Sequence, residues 1–408
     1  MIMMPQTATK KKAYVITQGC ARSHIEGQLY KDFARANDLE VTGNFRKADF
    51  ILLNLCGLNA SREVQYSYLI NNILAKKKAD ARIIITGCLA KISYDRLKEQ
   101  YGCDVLTFDE LDQLNDMIGV PKKLDDVPYP HTVEENPKIA QAKGILGGSL
   151  LQPNLAGLLH FVQDTNWASL LGYMKFPAEH EMMGKYCVRI SWGCTSACSY
   201  CANRLARGRL RSKPEDKVLE EVKKGIRQGF KQMILLAEDL YCYGYDVHKQ
   251  PMAIDLIKKM TALDGDFQLI LPDCKPEMLL NHYDEIEAIL KTGKIHEITF
   301  AIQSANPRVL KLMNRPFDVK AFQEQFIKLK ADNPKVSFCA HIMVGFPQET
   351  ESEFQDTYDF VEACKFDKVL SFQYSGRPKT FSSTLSGQIP EAVAKARLKR
   401  LHKLLIGK

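Results

Sequence analysis

Along the first third of the chain, apolar positions come in short unbroken runs rather than singly. The runs Ala13–Thr17, Phe50–Leu55, Arg82–Thr86 and Asp104–Phe108 alternate with stretches of helical period at Glu26–Arg35, Arg62–Ala75 and Ser93–Tyr101. A strand that is apolar on both faces must be covered on both, as happens in a parallel sheet flanked by helices. Strict alternation of strand and helix patterns predicts that arrangement. It resumes after residue 185, with strands predicted at Tyr186–Ser191, Gln232–Ala237, Phe267–Leu271, Glu297–Ile302, Val336–Val344 and Lys368–Tyr374. Between Pro121 and Lys185 the pattern loosens: Asp125–Pro137 is rich in proline and acids, and Gly144–Gly148 in glycine.

The chain therefore reads as α/β throughout. Residues 1–120 are expected to form a flavodoxin-like doubly wound domain, and 186–408 a partial (β/α)6 TIM-like barrel. Residues 121–185 read as a linker or insertion with short helices of its own, in which Leu155–Val162 and Trp167–Tyr173 are apolar enough to pack on something. In both architectures ligands bind at the carboxyl ends of the strands, so residues just past those ends carry the functional question.

Composition narrows the field only a little. The 408 residues are 45% hydrophobic and 25% charged, ordinary for a soluble globular protein of at least two domains. A net charge of +8 permits a nucleic-acid partner, but the lysines and arginines spread over several amphipathic helices and form no aromatic-studded stripe. No run approaches the roughly 20 apolar residues of a membrane span, and no apolar signal segment follows Met1, so a cytoplasmic protein without a membrane partner is expected. In a reducing compartment, twelve cysteines argue for metal or redox chemistry rather than disulfides.

The cysteines fall into two trios. Cys194, Cys198 and Cys201, separated by three and then two residues after the first strand of the second domain, can converge on one inorganic centre. Three thiolates leave one iron of a cubane cluster open to a ligand, as an open metal site does for catalysis. Zinc, which takes four N/S ligands, is the alternative; the loop offers no second cysteine pair and no histidine, and Cys187 lies on the preceding strand. Cys20, Cys56 and Cys88 each follow the carboxyl end of one of the first three predicted strands. A parallel sheet would gather them in one crevice, able to hold a second cluster. Read singly, each is equally a buried core cysteine.

With Tyr200 before the third cysteine, the loop Cys194–Cys201 resembles the signature of the radical S-adenosylmethionine (SAM) superfamily. That resemblance implies a [4Fe-4S] cluster that binds SAM at its open iron and cleaves it reductively to a 5′-deoxyadenosyl radical. Thr17-Gln-Gly-Cys20, Asn54-Leu-Cys56 and Thr86-Gly-Cys88-Leu-Ala resemble the three cysteine motifs of the methylthiotransferase amino-terminal domain, with Ser23 where that family usually has Asn. The family resemblance implies a second [4Fe-4S] cluster on Cys20, Cys56 and Cys88 that carries or donates sulfur, and insertion of sulfur and a methyl group at an unactivated carbon. It also implies an electron donor such as flavodoxin or ferredoxin.

The same resemblance supplies SAM-site candidates: Tyr200, Arg207, Glu238, Asp239, Gln303, Ser304, Gly345 and Phe346. Arg207 is read as a partner of a carboxylate, and Glu238 and Asp239 as acceptors for the SAM ammonium. Gly345, in Gly345-Phe-Pro-Gln-Glu349-Thr350, is read as admitting a flat ligand, although a strand-to-helix turn uses the same residues. No residue is assigned a catalytic acid or base role, His341 included. The stretch Ala237–Asp246 looks closer to the protein-modifying branch, which has Asp where the isopentenyl-adenosine branch has Asn. The chain stops at Lys408 after one basic helix, Glu391–Leu405, without the β-barrel TRAM domain of the family. A peptide or protein substrate is therefore expected, with tRNA open. An auxiliary cluster that only relays electrons, and a non-catalytic iron–sulfur protein, remain as other readings.

Overall fold

In the computed structural model, residues 10–134 and 182–406 are described. The predicted apolar segments Leu155–Val162 and Trp167–Tyr173 lie outside them. The chain divides into two compact units, Met1–Met183 and Gly184–Lys408.

The first unit holds strands β1 (Lys12–Gln18), β2 (Glu40–Val41), β3 (Phe50–Leu55), β4 (Arg82–Thr86) and β5 (Asp104–Val105). They form one parallel sheet in the order β2-β1-β3-β4-β5. Its helices are α1 (Ala21–Ala36), α2 (Ala60–Lys76), α3 (Cys88–Ile92), α4 (Tyr94–Tyr101) and α5 (Leu114–Ile118). Side chains alternate across the sheet with period two. Ile51, Leu53, Leu55, Ile83 and Ile85 pack with Tyr66, Ile70, Leu89 and Leu97, on the side of α2, α3 and α4. Phe50, Leu52 and Ile84 pack with Tyr30, Phe33, Leu114 and Ile118, on the side of α1 and α5. Both faces are covered, which is why these strands read as unbroken apolar runs. The two-residue β2 escaped the sequence pattern because it is too short to show a period.

The second unit contains β6 (Tyr186–Arg189), β9 (Gln232–Leu236), β10 (Gln268–Cys274), β11 (Ile295–Gln303), β12 (Ser337–Val344) and β13 (Lys368–Gln373). These pair in parallel and in strict chain order, β6 and β13 forming the edges. The predicted strand Tyr186–Ser191 ends early. At Ser191 the chain turns into β7 (Ser191–Trp192), which pairs antiparallel with β8 (Arg211–Ser212) and brackets the cysteine loop between them.

One face of the sheet, including Val188, Leu235, Leu269, Phe300 and Phe338, forms a core with helix residues such as Val222, Leu256, Phe326 and Phe354. The alternate positions include Cys187, Arg189, Thr299, Cys339 and His341, a set with far more polar groups and outside that core.

Candidate metal and cofactor sites

In the first unit, Cys20 stands at the amino end of α1, Cys56 directly after β3, and Cys88 is the first residue of α3. Two glycines set their spacing. A Cβ on Gly87, at φ +88°, would lie 2.5 Å from Asn54 Oδ1 and 2.6 Å from the Leu55 carbonyl oxygen, so the turn before Cys88 closes tightly on the end of β3. A Cβ on Gly19 would sit 3.3 Å from that of Cys56.

The Cys56 sulfur senses the other two. Burial first, and then the charges of Cys88 and Cys20, push the Cys56 thiol up to about 12. None of the three is in a disulfide. A thiol raised by two neighbouring thiols lacks a cation to hold it as a thiolate, and iron supplies one. The donor set therefore fits a thiolate-bound cluster. Ser23 Oγ lies 3.8 Å from Cys20 Sγ, and the backbone carbonyl of Ser23 accepts from Asn54 Nδ2 at 2.9 Å, tying α1 to β3.

In the second unit the cysteine loop is stitched down from several sides. Ser196 N–H donates to Cys194 Sγ at 3.2 Å, and Cys201 N–H to the Cys198 carbonyl oxygen at 3.2 Å. Burial and the neighbouring Cys198 raise Cys201, while N–H groups of Asn203 and Arg204, at the start of the helix Asn203–Arg207, oppose that shift. Cys194 is lowered, first by a hydrogen bond from Cys242. None of the three cysteines of this loop is in a disulfide.

The sequence did not single out Cys242 or Lys275, yet both stand here. Among the described residues, one trio of metal-capable atoms lies within 4.8 Å of one another: Cys194, Asp239 and Cys242. Asp239 Oδ2 already takes Lys275 Nζ at 2.9 Å, Cys242 Sγ at 3.1 Å and Ser196 Oγ at 3.3 Å, while Oδ1 accepts from Tyr241 N–H at 3.2 Å. Burial, the largest single influence, would lower Lys275, but Asp239 together with Cys242 and Cys194 outweighs it and holds the ammonium above its usual range. Lys275 follows β10 directly, so the carboxyl-end logic that found Asp239 would also have found this lysine.

The remaining SAM candidates separate into two groups. Glu238 is committed internally: its Oε1 meets the buried Arg189 at 2.6 Å and Arg207 Nε at 3.9 Å. Arg189 thus shares one Glu238 oxygen with the more distant Arg207, as a buried guanidinium needs a counter-charge, and a ligand contact at Arg207 or Glu238 belongs to the proposal below. Ser304 is fully buried with its hydroxyl 3.3 Å from that of Thr357, and Phe346 is fully buried beside Tyr374, Met343 and Val309.

Gly345 departs from its sequence reading. Its N–H goes to Glu349 Oε2 at 2.7 Å, and a Cβ there, at φ +75°, would lie 2.7 Å from that of Ala394. The space it leaves is taken by the helix Glu391–Ile406.

Asp239, Gln303 and Tyr200 keep their candidacy. Gln303 ends β11 at φ +69°, and its buried Oε1 has no hydrogen-bond partner. An orphaned acceptor at a strand's carboxyl end fits a polar ligand. Tyr200 packs edge-on against Phe346, centroids 6.5 Å apart.

The radical SAM superfamily matches residues 188–361, and an uncharacterized protein family, UPF0004, matches residues 12–108. The chain is 27% identical over 397 residues to a protein of Pyrococcus horikoshii named as a probable threonylcarbamoyladenosine tRNA methylthiotransferase, covering 96% of this chain and 83% of that one. It is likewise 27% identical over 399 residues to the ribosomal protein uS12 methylthiotransferase RimO of Caldicellulosiruptor saccharolyticus, covering 97% of this chain and 82% of that one. Among solved structures, the radical SAM methyltransferase TsrM from Kitasatospora setae shares its fold, with a TM-score of 0.58 at 12% identity over 92% of this chain and 77% of that one.

An α/β chain of parallel sheets with a radical SAM domain around its cysteine loop is a radical SAM enzyme. The two matched regions together with these relatives make it a member of the radical SAM methylthiotransferase family.

Proposed function

We propose that this protein replaces hydrogen by a methylthio group at an unactivated carbon of a peptide or protein side chain. One observation carries the reading. A trio of cysteines at the strand ends of one parallel sheet, two of which raise the thiol of the third, is joined in the same chain to a Cys-x3-Cys-x2-Cys loop after the first strand of another. We read the first sheet, whose order is that of flavodoxin-type folds, as the auxiliary-cluster domain over residues 1–120. Residues 186–408 are read as a partial (β/α)6 barrel, with 121–185 as the connection.

In this reading Cys194, Cys198 and Cys201 hold one [4Fe-4S] cluster, and Cys20, Cys56 and Cys88 the other. When bound, the first supplies an electron and an open iron to SAM, and the second supplies sulfur. Asp239 and Lys275 offer an anion and a cation side by side, the complement of an amino-acid zwitterion. Gln303 Oε1 offers a buried acceptor, and Tyr200 an apolar wall. The electron comes from a carrier such as flavodoxin or ferredoxin, and the setting is cytoplasmic. Among the described residues no helix is long and apolar enough to cross a membrane, which is compatible with that setting.

The Asp-containing stretch Ala237–Asp246 favours a peptide or protein over nucleic acid. A tRNA adenosine is the second reading, since relatives named for tRNA substrates match at the same 27% identity. Anaerobic incubation of the reconstituted protein with SAM and a reductant, once with a ribosomal-protein peptide and once with tRNA, tests both. Release of 5′-deoxyadenosine with a methylthio mass gain on the peptide is the expected result. A gain on tRNA alone would move the assignment to tRNA. Release of 5′-deoxyadenosine with neither product would leave an electron-relaying auxiliary cluster.

A further inference from the structure

The inference concerns Arg315, a residue that neither the sequence pattern nor the reading above uses. It rests on the assignment of Cys194, Cys198 and Cys201 as cluster ligands. Arg315 follows the short helix Pro307–Leu312 and is partly buried, and its guanidinium forks between two acceptors. Nη2 donates to the Ala301 carbonyl oxygen on β11 at 2.9 Å, and Nη1 to Cys198 Sγ at 3.4 Å. No carboxylate among the described residues lies within ion-pair distance of it, and the thiol sulfur takes the place a carboxylate usually fills.

The surroundings fix this geometry. Asn314, in the left-handed region at φ +53°, donates its Nδ2 to the Ala197 carbonyl oxygen at 2.8 Å. Ser199 N–H donates to the Met313 carbonyl oxygen at 2.9 Å, and its Oγ to that of Leu312 at 2.7 Å. Arg315 N–H closes the turn on the Leu310 carbonyl oxygen at 2.9 Å. Three hydrogen bonds thus clamp the turn 312–315 to the residues flanking Cys198, and with Nη2 anchored on Ala301 the planar fork directs Nη1 at the sulfur.

We propose that Arg315 is a positioning residue that sets the reduction potential of the cluster. A cationic N–H donor on a thiolate ligand stabilises the more negative, reduced form, so it raises the potential and eases the one-electron reduction that SAM cleavage requires.

The test is an EPR-monitored redox titration of the full-length, anaerobically reconstituted protein in the absence of SAM, with dithionite as reductant and iron content measured in parallel. Arg315→Gln is expected to bring the midpoint to a more negative potential at unchanged iron per protein, and Arg315→Lys, which keeps the charge but loses the fork, to a smaller shift in the same direction. Exposed Lys311 serves as the control, Lys311→Gln leaving the midpoint unchanged. A wild-type midpoint in a fully loaded Arg315→Gln protein would overturn the proposal. Should that variant fail to retain iron, the Arg315→Lys protein decides in the same way. Failure of the cluster assignment itself is distinct, because replacing Cys194, Cys198 and Cys201 with Ala would then leave the titrated signal unchanged.

Discussion

At the scale of single residues, the most consequential charges are those that found each other inside the second unit. Arg189 and Glu238 are both buried, and the pair replaces two hydration shells with one short contact. Removing one partner leaves the other charge stranded. Glu238→Ala is expected to cost roughly 3–5 kcal/mol in urea unfolding, and the double change Arg189→Met with Glu238→Leu to recover much of it. Glu353 offers a pH-dependent counterpart. Hydrogen bonding from Arg308 first, then from the backbone and hydroxyl of Thr350, brings its carboxyl down to about 2. A carboxylate whose folded value is depressed stabilises the protein above its unfolded value of about 4.3, and that contribution fades as pH falls toward the folded one. The stability difference between wild type and Glu353→Gln should therefore be full at pH 7 and clearly reduced at pH 3. A difference independent of pH would mean that the ion pair and capping box contribute nothing through ionisation.

At the scale of elements, the turns after the strands decide whether thiols converge. The turn between β4 and α3 works because Gly87 occupies φ +88° against the end of β3, where no Cβ fits. Gly87→Ala is expected to cost roughly 1–3 kcal/mol of stability from backbone strain alone. It should also lower iron bound to the first cysteine trio, read by iron content in a protein whose second trio has been replaced. A fully loaded Gly87→Ala protein would show that the turn's tightness is irrelevant to ligand convergence. The helix Glu351–Cys364 shows how far local sequence can specify an element: Thr350, part of the strand-to-helix turn read in the sequence, forms a reciprocal capping box with Glu353 at its start.

At the scale of the whole molecule, the proposed function divides the chemistry between the two units. Replacing Cys194, Cys198 and Cys201 together with Ala should abolish release of 5′-deoxyadenosine. Replacing Cys20, Cys56 and Cys88 should spare that release and abolish the methylthio mass gain. Equal loss of both products in both variants would contradict the division.

The amino-acid sequence by itself determined the strand and helix alternation of both sheets, because a strand covered on both faces must be continuously apolar, and that pattern is local. It likewise determined the ligand candidates: the spacing of Cys194, Cys198 and Cys201 lies within one loop, and Cys20, Cys56 and Cys88 follow strands that the pattern had already located. Only the tertiary structure decided which polar groups satisfy one another. Glu238 pairs with Arg189, Lys275 meets Asp239, Arg315 reaches Cys198, and Gly345 makes room for Ala394. Such partners lie tens of residues apart, and burial makes each charge take the best counter-charge within reach, a choice that exists only once the chain has packed.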